Sequence, residues 1–188
     1  SMKKILFETH HLYYLPNFIP IIEALRSKGG YDIYVSMPQY MQERERKLFY
    51  DACSSMEIQI INADLEATRK EKIKSANFDV IVVGNVGQIT KIVSEPTIAV
   101  MVYHGIGLKQ SYYNDIDQRI DIRSVESEAR YNKLKDHGHQ NLVLTGYTKL
   151  DPFFSYNDQE KNNTKSKLGI NNDLPTLLYA PTFYPTSF

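Results

Sequence analysis

Two apolar runs limit the fold more than any other part of this sequence: Val80-Ile81-Val82-Val83, within a strand expected over 78–84, and Ile98-Ala99-Val100-Met101-Val102, within a strand expected over 97–103. Both are short, continuously apolar and rich in β-branched side chains. A strand with one wet face alternates apolar and polar residues, whereas a strand covered on both faces does not. Runs of this kind therefore belong inside a parallel sheet, with cover on either side.

The surrounding sequence supplies that cover. Further strands are expected at 3–9, 31–36, 57–61 and 141–145, with a weaker one at 121–125. Helical spacing is expected between them. Phe18, Ile21, Ile22 and Leu25 recur at three- and four-residue intervals over residues 16–28, and Gly29-Gly30 supplies a stop. A charged helix is expected over 39–54, and a polar one over 64–76 with Asp64 as its N-cap. A short helix over 87–93 and another over 126–137 complete the set. Strands alternating with helices of these lengths indicate βαβ units. The expected fold class is α/β: a Rossmann-like, mostly parallel sheet with helices on both faces.

The chain has 188 residues, enough for one sizeable core but short of two full α/β domains. Its character changes after Asp151. Residues 3–151 are read as the Rossmann-like domain, and 152–173 as a polar linker and surface helix. Residues 174–188 are read as the first strand of a truncated second domain, because the apolar run Thr176-Leu177-Leu178-Tyr179-Ala180 appears after the linker.

Charge and cysteine content narrow the function. Lys plus Arg number 22 and Asp plus Glu number 22, so the basic surface of a general nucleic-acid binder is missing. With the single cysteine, Cys53, no internal disulfide can form, and its apolar helical setting suits packing rather than nucleophilic attack. Neither a secretory signal nor a membrane-spanning run is recognisable, and the expectation is a cytoplasmic protein. Metal binding by His10-His11 or by His137 and His139 lacks acidic or thiol companions, so no metal is assigned. His137-Gly138-His139 reads instead as a helix end, where a cationic side chain suits the dipole.

In open parallel sheets, ligands bind beyond the carboxyl ends of the strands. Several reactive residues follow such ends: His10 and His11 after the first strand, Gly146 and Tyr147 after 141–145, and the segment His104-Gly105-Ile106-Gly107-Leu108-Lys109 after the fifth. A histidine on a rigid strand end can take a proton from an attacking alcohol near neutral pH. Gly105 and Gly107 let backbone N–H groups approach an anion, and Lys109 adds a positive charge suited to phosphate. The same residues admit a plainer reading, in which His104 closes a strand against a carbonyl and the glycines turn the chain. A dinucleotide fingerprint is excluded, since Gln110 stands where its third glycine belongs.

The segment His104-Gly105-Ile106-Gly107-Leu108-Lys109 resembles the His-Gly-x-x-Leu-Lys motif of the CDP-glycerol glycerophosphotransferases. Gly146-Tyr147-Thr148-Lys149-Leu150-Asp151 is similar to a second segment of that family. Leu178-Tyr179-Ala180-Pro181-Thr182-Phe183 is similar to a third, and the three occur in the family's order. The sequence departs from the family at Tyr103, usually tryptophan, and at Thr148, usually proline.

The resemblance implies the N-terminal half of a glycosyltransferase-B-type fold. It also implies transfer of glycerol phosphate from CDP-glycerol to a hydroxyl of a polymer or lipid-linked acceptor, as in teichoic acid and capsular polymer synthesis. In that scheme His104 is the catalytic base. Gly105, Gly107, Lys109, His10, His11, Gly146, Tyr147 and Thr182 contribute to substrate binding. No cofactor, metal or nucleic acid takes part, and peripheral contact with the inner face of the membrane is implied. The family's second key histidine and most nucleotide-binding residues would belong to a further C-terminal domain, so these 188 residues alone are expected to be inactive. Two other classes fit the same architecture. One is a nucleotide-sugar glycosyltransferase or UDP-sugar epimerase. The other is a non-catalytic flavodoxin-like docking domain, against which Thr9-His10-His11 stands where a receiver-type domain carries acidic residues.

Overall fold

The computed structural model describes residues 2–9, 15–37, 41–84, 89–102, 119–125, 127–144 and 177–179. The fold is α/β and Rossmann-like. The chain divides into two compact units, one of Ser1–Gly84 with Gln88–Thr97, the other of Asn85–Gly87 with Ile98–Phe188.

The first unit contains strands β1 (Lys3–Glu8), β2 (Tyr31–Ser36), β3 (Gln59–Ile61) and β4 (Val80–Val83), in the order β3-β2-β1-β4. Every pairing among them is parallel, with Ile5 opposite both Ile33 and Val80. Helices α1 (Leu15–Lys28), α2 (Glu43–Ser55) and α3 (Glu66–Ser75) alternate with the strands. Neighbouring residues of β1 show that both faces are covered. Phe7 meets Phe18 of α1, ring centroids 5.5 Å apart, while Glu8 meets Arg69 of α3. Successive side chains of a strand point to opposite faces, so these two helices lie on opposite sides of the sheet.

The expected α1 face is the buried one: Phe18, Ile21, Ile22 and Leu25 are joined by Leu15. Full burial of each such side chain is worth about 1.5–3 kcal/mol. Gly29 and Gly30 take φ of 77° and 86°, a left-handed backbone that glycine adopts without a Cβ clash. All four residues of β4 are buried, as their uninterrupted apolar run requires.

The second unit contains β5 (Ile98–Val102), β6 (Ile122–Val125), β7 (Leu142–Leu144) and β8 (Leu177–Tyr179), in the order β5-β6-β7-β8 and again parallel throughout. Helix α4 (Glu128–Asp136) packs on β6 and β7 through Tyr131 and Leu134. The apolar run expected to open a second domain, β8, pairs with β7 in register Leu142 to Leu177. The expected boundary near residue 151, and the linker over 152–173, lie outside the described residues.

Several boundaries differ from the sequence reading. Asp64 does not cap α3. The cap is Leu65, with extended backbone and no side-chain hydrogen bond. The short helix over 87–93 is, within the described residues, a single 3₁₀ turn, Ile89–Lys91. The turn that follows, closed by Thr97 N–H donating to the Ser94 carbonyl at 3.1 Å, takes up the residues another helical turn would need. Helix α2 begins at Glu43, after extended Gln42, and β3 begins at Gln59 because Glu57 has φ 54°. The strand read as weak, β6, is buried along its whole length.

Candidate functional site

The carboxyl end of β1 and β2 carries a buried polar cluster. Glu8 and Ser36 end their strands opposite each other in register. The Ser36 hydroxyl donates to Glu8 Oε2. Thr9, fully buried, donates its hydroxyl to the Ser36 carbonyl at 2.5 Å. Across the sheet face, Arg69 Nη1 of α3 lies 2.9 Å from Glu8 Oε1 and 3.0 Å from Oε2. Arg69 Nε donates to both oxygens of Glu66 at 3.1 Å, and its Nη2 also donates to Glu66. One guanidinium thus sits between two carboxylates, one on the sheet and one on its own helix.

Arg69 is only 2% exposed, so its charge has left water and must be compensated by these partners. Burial alone would weaken the cation. The hydrogen bonds and charge of Glu66 and Glu8 outweigh that effect and raise its pKa. For Glu8 the balance runs the other way. Burial raises its pKa above the ordinary value of 4.5, and the pull of Arg69 and Ser36 does not cancel that. The cluster is a carboxyl group whose pKa burial raises, beside a firmly charged guanidinium, at the edge where open α/β sheets receive ligands.

Sequence reasoning missed this cluster. The available signal was a glutamate closing β1 directly after the apolar run Ile5-Leu6-Phe7.

His104, Gly105, Gly107, Lys109, His10, His11, Gly146, Tyr147 and Thr182 are outside the described residues. The described strands that precede them in the chain, β1, β5, β7 and β8, end at Glu8, Val102, Leu144 and Tyr179. His137 is the C-cap of α4, its Nδ1 2.8 Å from the Lys133 carbonyl, as a helix-end reading expects. Gly138 N–H and His139 N–H then donate to the carbonyls of Lys135 and Leu134, a Schellman ending that needs the φ of 86° at Gly138. Cys53 is buried, and burial pushes its thiol pKa up to about 12, which suits packing and leaves almost no thiolate at neutral pH.

Among the described residues, no group of three or more His, Cys, Asp or Glu side chains is placed to hold a metal ion. Among them too, no helix is long and apolar enough to cross a membrane. Comparison of the sequence with protein-family models and with curated proteins finds no match.

Proposed function

We propose that this chain is the acceptor-side part of a transferase that moves glycerol phosphate from CDP-glycerol to a hydroxyl of a polymer or lipid-linked acceptor. The observation that carries the reading is a coincidence of motif and topology. The His-Gly-x-x-Leu-Lys segment begins two residues after Val102, the last residue of a buried parallel strand, and Gly146-Tyr147 begins two residues after the end of β7. Both positions follow carboxyl strand ends, which is where Rossmann-like sheets carry out their chemistry.

In this reading the acceptor oxygen attacks the phosphorus that bears glycerol. The bond from that phosphorus to the bridging oxygen breaks, CMP leaves with that oxygen, and the imidazole of His104 takes the acceptor's proton. Lys109 and the backbone N–H groups at Gly105 and Gly107 offset charge on the phosphoryl oxygens. His10, His11, Gly146, Tyr147 and Thr182 line the substrate site. The reaction runs on the cytoplasmic side of the membrane, with peripheral contact where the acceptor is lipid-linked.

A ligand panel on the full-length protein tests this. CDP-glycerol is expected to raise the melting temperature more than CDP-ribitol or any UDP-sugar, and to release CMP when acceptor is added. Stabilisation by a UDP-sugar alone would favour a glycosyltransferase or epimerase. No stabilisation by any nucleotide would favour a docking domain.

A further inference from the structure

Helix α3 is joined to its sheet unlike the helix on the other face. Helix α1 buries five apolar side chains. Helix α3 buries two residues, of which only Ile73 is aliphatic and the other is Arg69. Its N-cap, Leu65, offers no side-chain hydrogen bond and is 64% exposed, so neither capping nor burial secures the first turn. Lys72 Nζ donates to the Asn62 carbonyl at 3.3 Å, but that contact is exposed. The Arg69–Glu8 contact ties the first turn to the sheet, and beneath it lie Glu8, Ser36 and Thr9 at the carboxyl end of β1 and β2.

A segment with few buried apolar contacts opens locally at a free energy below that of global unfolding. A buried ion pair is poorly suited to offset that weakness, because the desolvation of both charges opposes their attraction. Among the described residues, the charged groups facing Glu8 are Arg69 and Glu66, both on α3, so the helix carries its own half of the clasp and half of the repulsion.

We propose that α3 is a releasable cover over the carboxyl end of β1 and β2, latched by the Arg69–Glu8 clasp, and that it opens independently of α1 to expose the Glu8 carboxylate and the Ser36 hydroxyl. The latch does not depend on which nucleotide, if any, the protein uses.

Amide hydrogen exchange on the full chain tests the proposal. In the wild type, the amides of α3 from Arg69 onward are expected to exchange through a local opening, with lower protection than those of α1. Arg69→Met keeps an apolar stem but removes the clasp. It is expected to speed exchange in α3 by roughly ten- to a hundredfold, the span of one charge-assisted hydrogen bond, and to leave α1 unchanged. Glu66→Gln, at a position whose side chain is 29% exposed, is a milder second variant should the first fail to fold. It is expected to shift α3 alone, in the same direction and less far. Equal protection of α3 and α1 in the wild type would overturn the proposal. So would parallel changes in both helices, or unchanged α3 exchange in the variants.

Discussion

The two units fasten the amino ends of their strands in the same way and treat the carboxyl ends differently. In the first, Asp79 precedes β4. Its carboxylate accepts from Lys4 N–H at 2.9 Å, while its own N–H donates to the Lys4 carbonyl at 3.0 Å. In the second, Asp121 precedes β6 and does the same to Ala99, at 2.8 and 2.9 Å. The cations nearby differ: Lys4 Nζ donates to the Ala76 carbonyl at 2.9 Å and lies 5.0 Å from the Phe78 ring centroid, whereas Arg119 Nη1 is 2.9 Å from Asp121 itself. Among the described residues, the likeness stops at the carboxyl ends. β1 and β2 end in the buried Glu8–Ser36–Arg69 cluster, whereas β5, β6 and β7 end in Val102, Val125 and Leu144. The shared feature closes backbone hydrogen bonds and serves the fold. The unshared one places buried charge at the edge where open α/β sheets receive ligands, and such charge adds little to stability.

The largest effect on this comparison is expected at the clamps. Asp121 is 3% exposed, and Asp121→Ala leaves the buried Ala99 N–H without its side-chain partner. That should lower unfolding free energy by about 1–3 kcal/mol in urea titrations. Asp79→Ala, at a partly buried site, should cost less. Equal losses would mean that burial does not set the strength of the clamp.

The helices allow a second, smaller test. Helix α4 begins at Ser127, whose side chain accepts from Arg130 N–H at 3.3 Å, while α3 begins at the uncapped Leu65. Ser127→Ala should therefore destabilise by about 1 kcal/mol, and Leu65→Ser should stabilise by a similar or smaller amount. Thermal melts of the two variants should move in opposite directions.

The smallest effect is a slope. Glu8 holds a raised pKa in the folded protein, so the folded state binds its proton more readily than the unfolded chain. The stability this contributes is fully present below the ordinary value of 4.5 and is lost as pH rises through the folded value. Relative to Glu8→Gln, the wild type should lose stability as pH rises above that range, measured by denaturant unfolding at several pH values. A gap that moves the other way would mean that attraction to Arg69 outweighs burial.

Much of the fold is legible in the sequence because it rests on local signals. The apolar runs of β4 and β5, the spaced apolar face of α1 and the Gly29-Gly30 stop each act within a few residues. The boundaries that moved depend on single backbone states. Glu57, Asn77 and Asn141 adopt φ of 54°, 50° and 56°, left-handed values that no composition rule assigns to a glutamate. Arg69 was illegible for another reason: its partner Glu8 lies 61 positions away, and a polar helix shows no sign of which charge turns inward. The motif residues were found by resemblance and by their place after apolar runs, which are sequence signals alone.

The most direct measurement is CMP release from CDP-glycerol by the full-length protein carrying His104→Ala, in the presence of acceptor. Loss of a general base should lower turnover by roughly a hundred- to ten-thousandfold while donor binding persists. Turnover equal to that of the unaltered protein would contradict the role given to this histidine and, with it, the transferase reading.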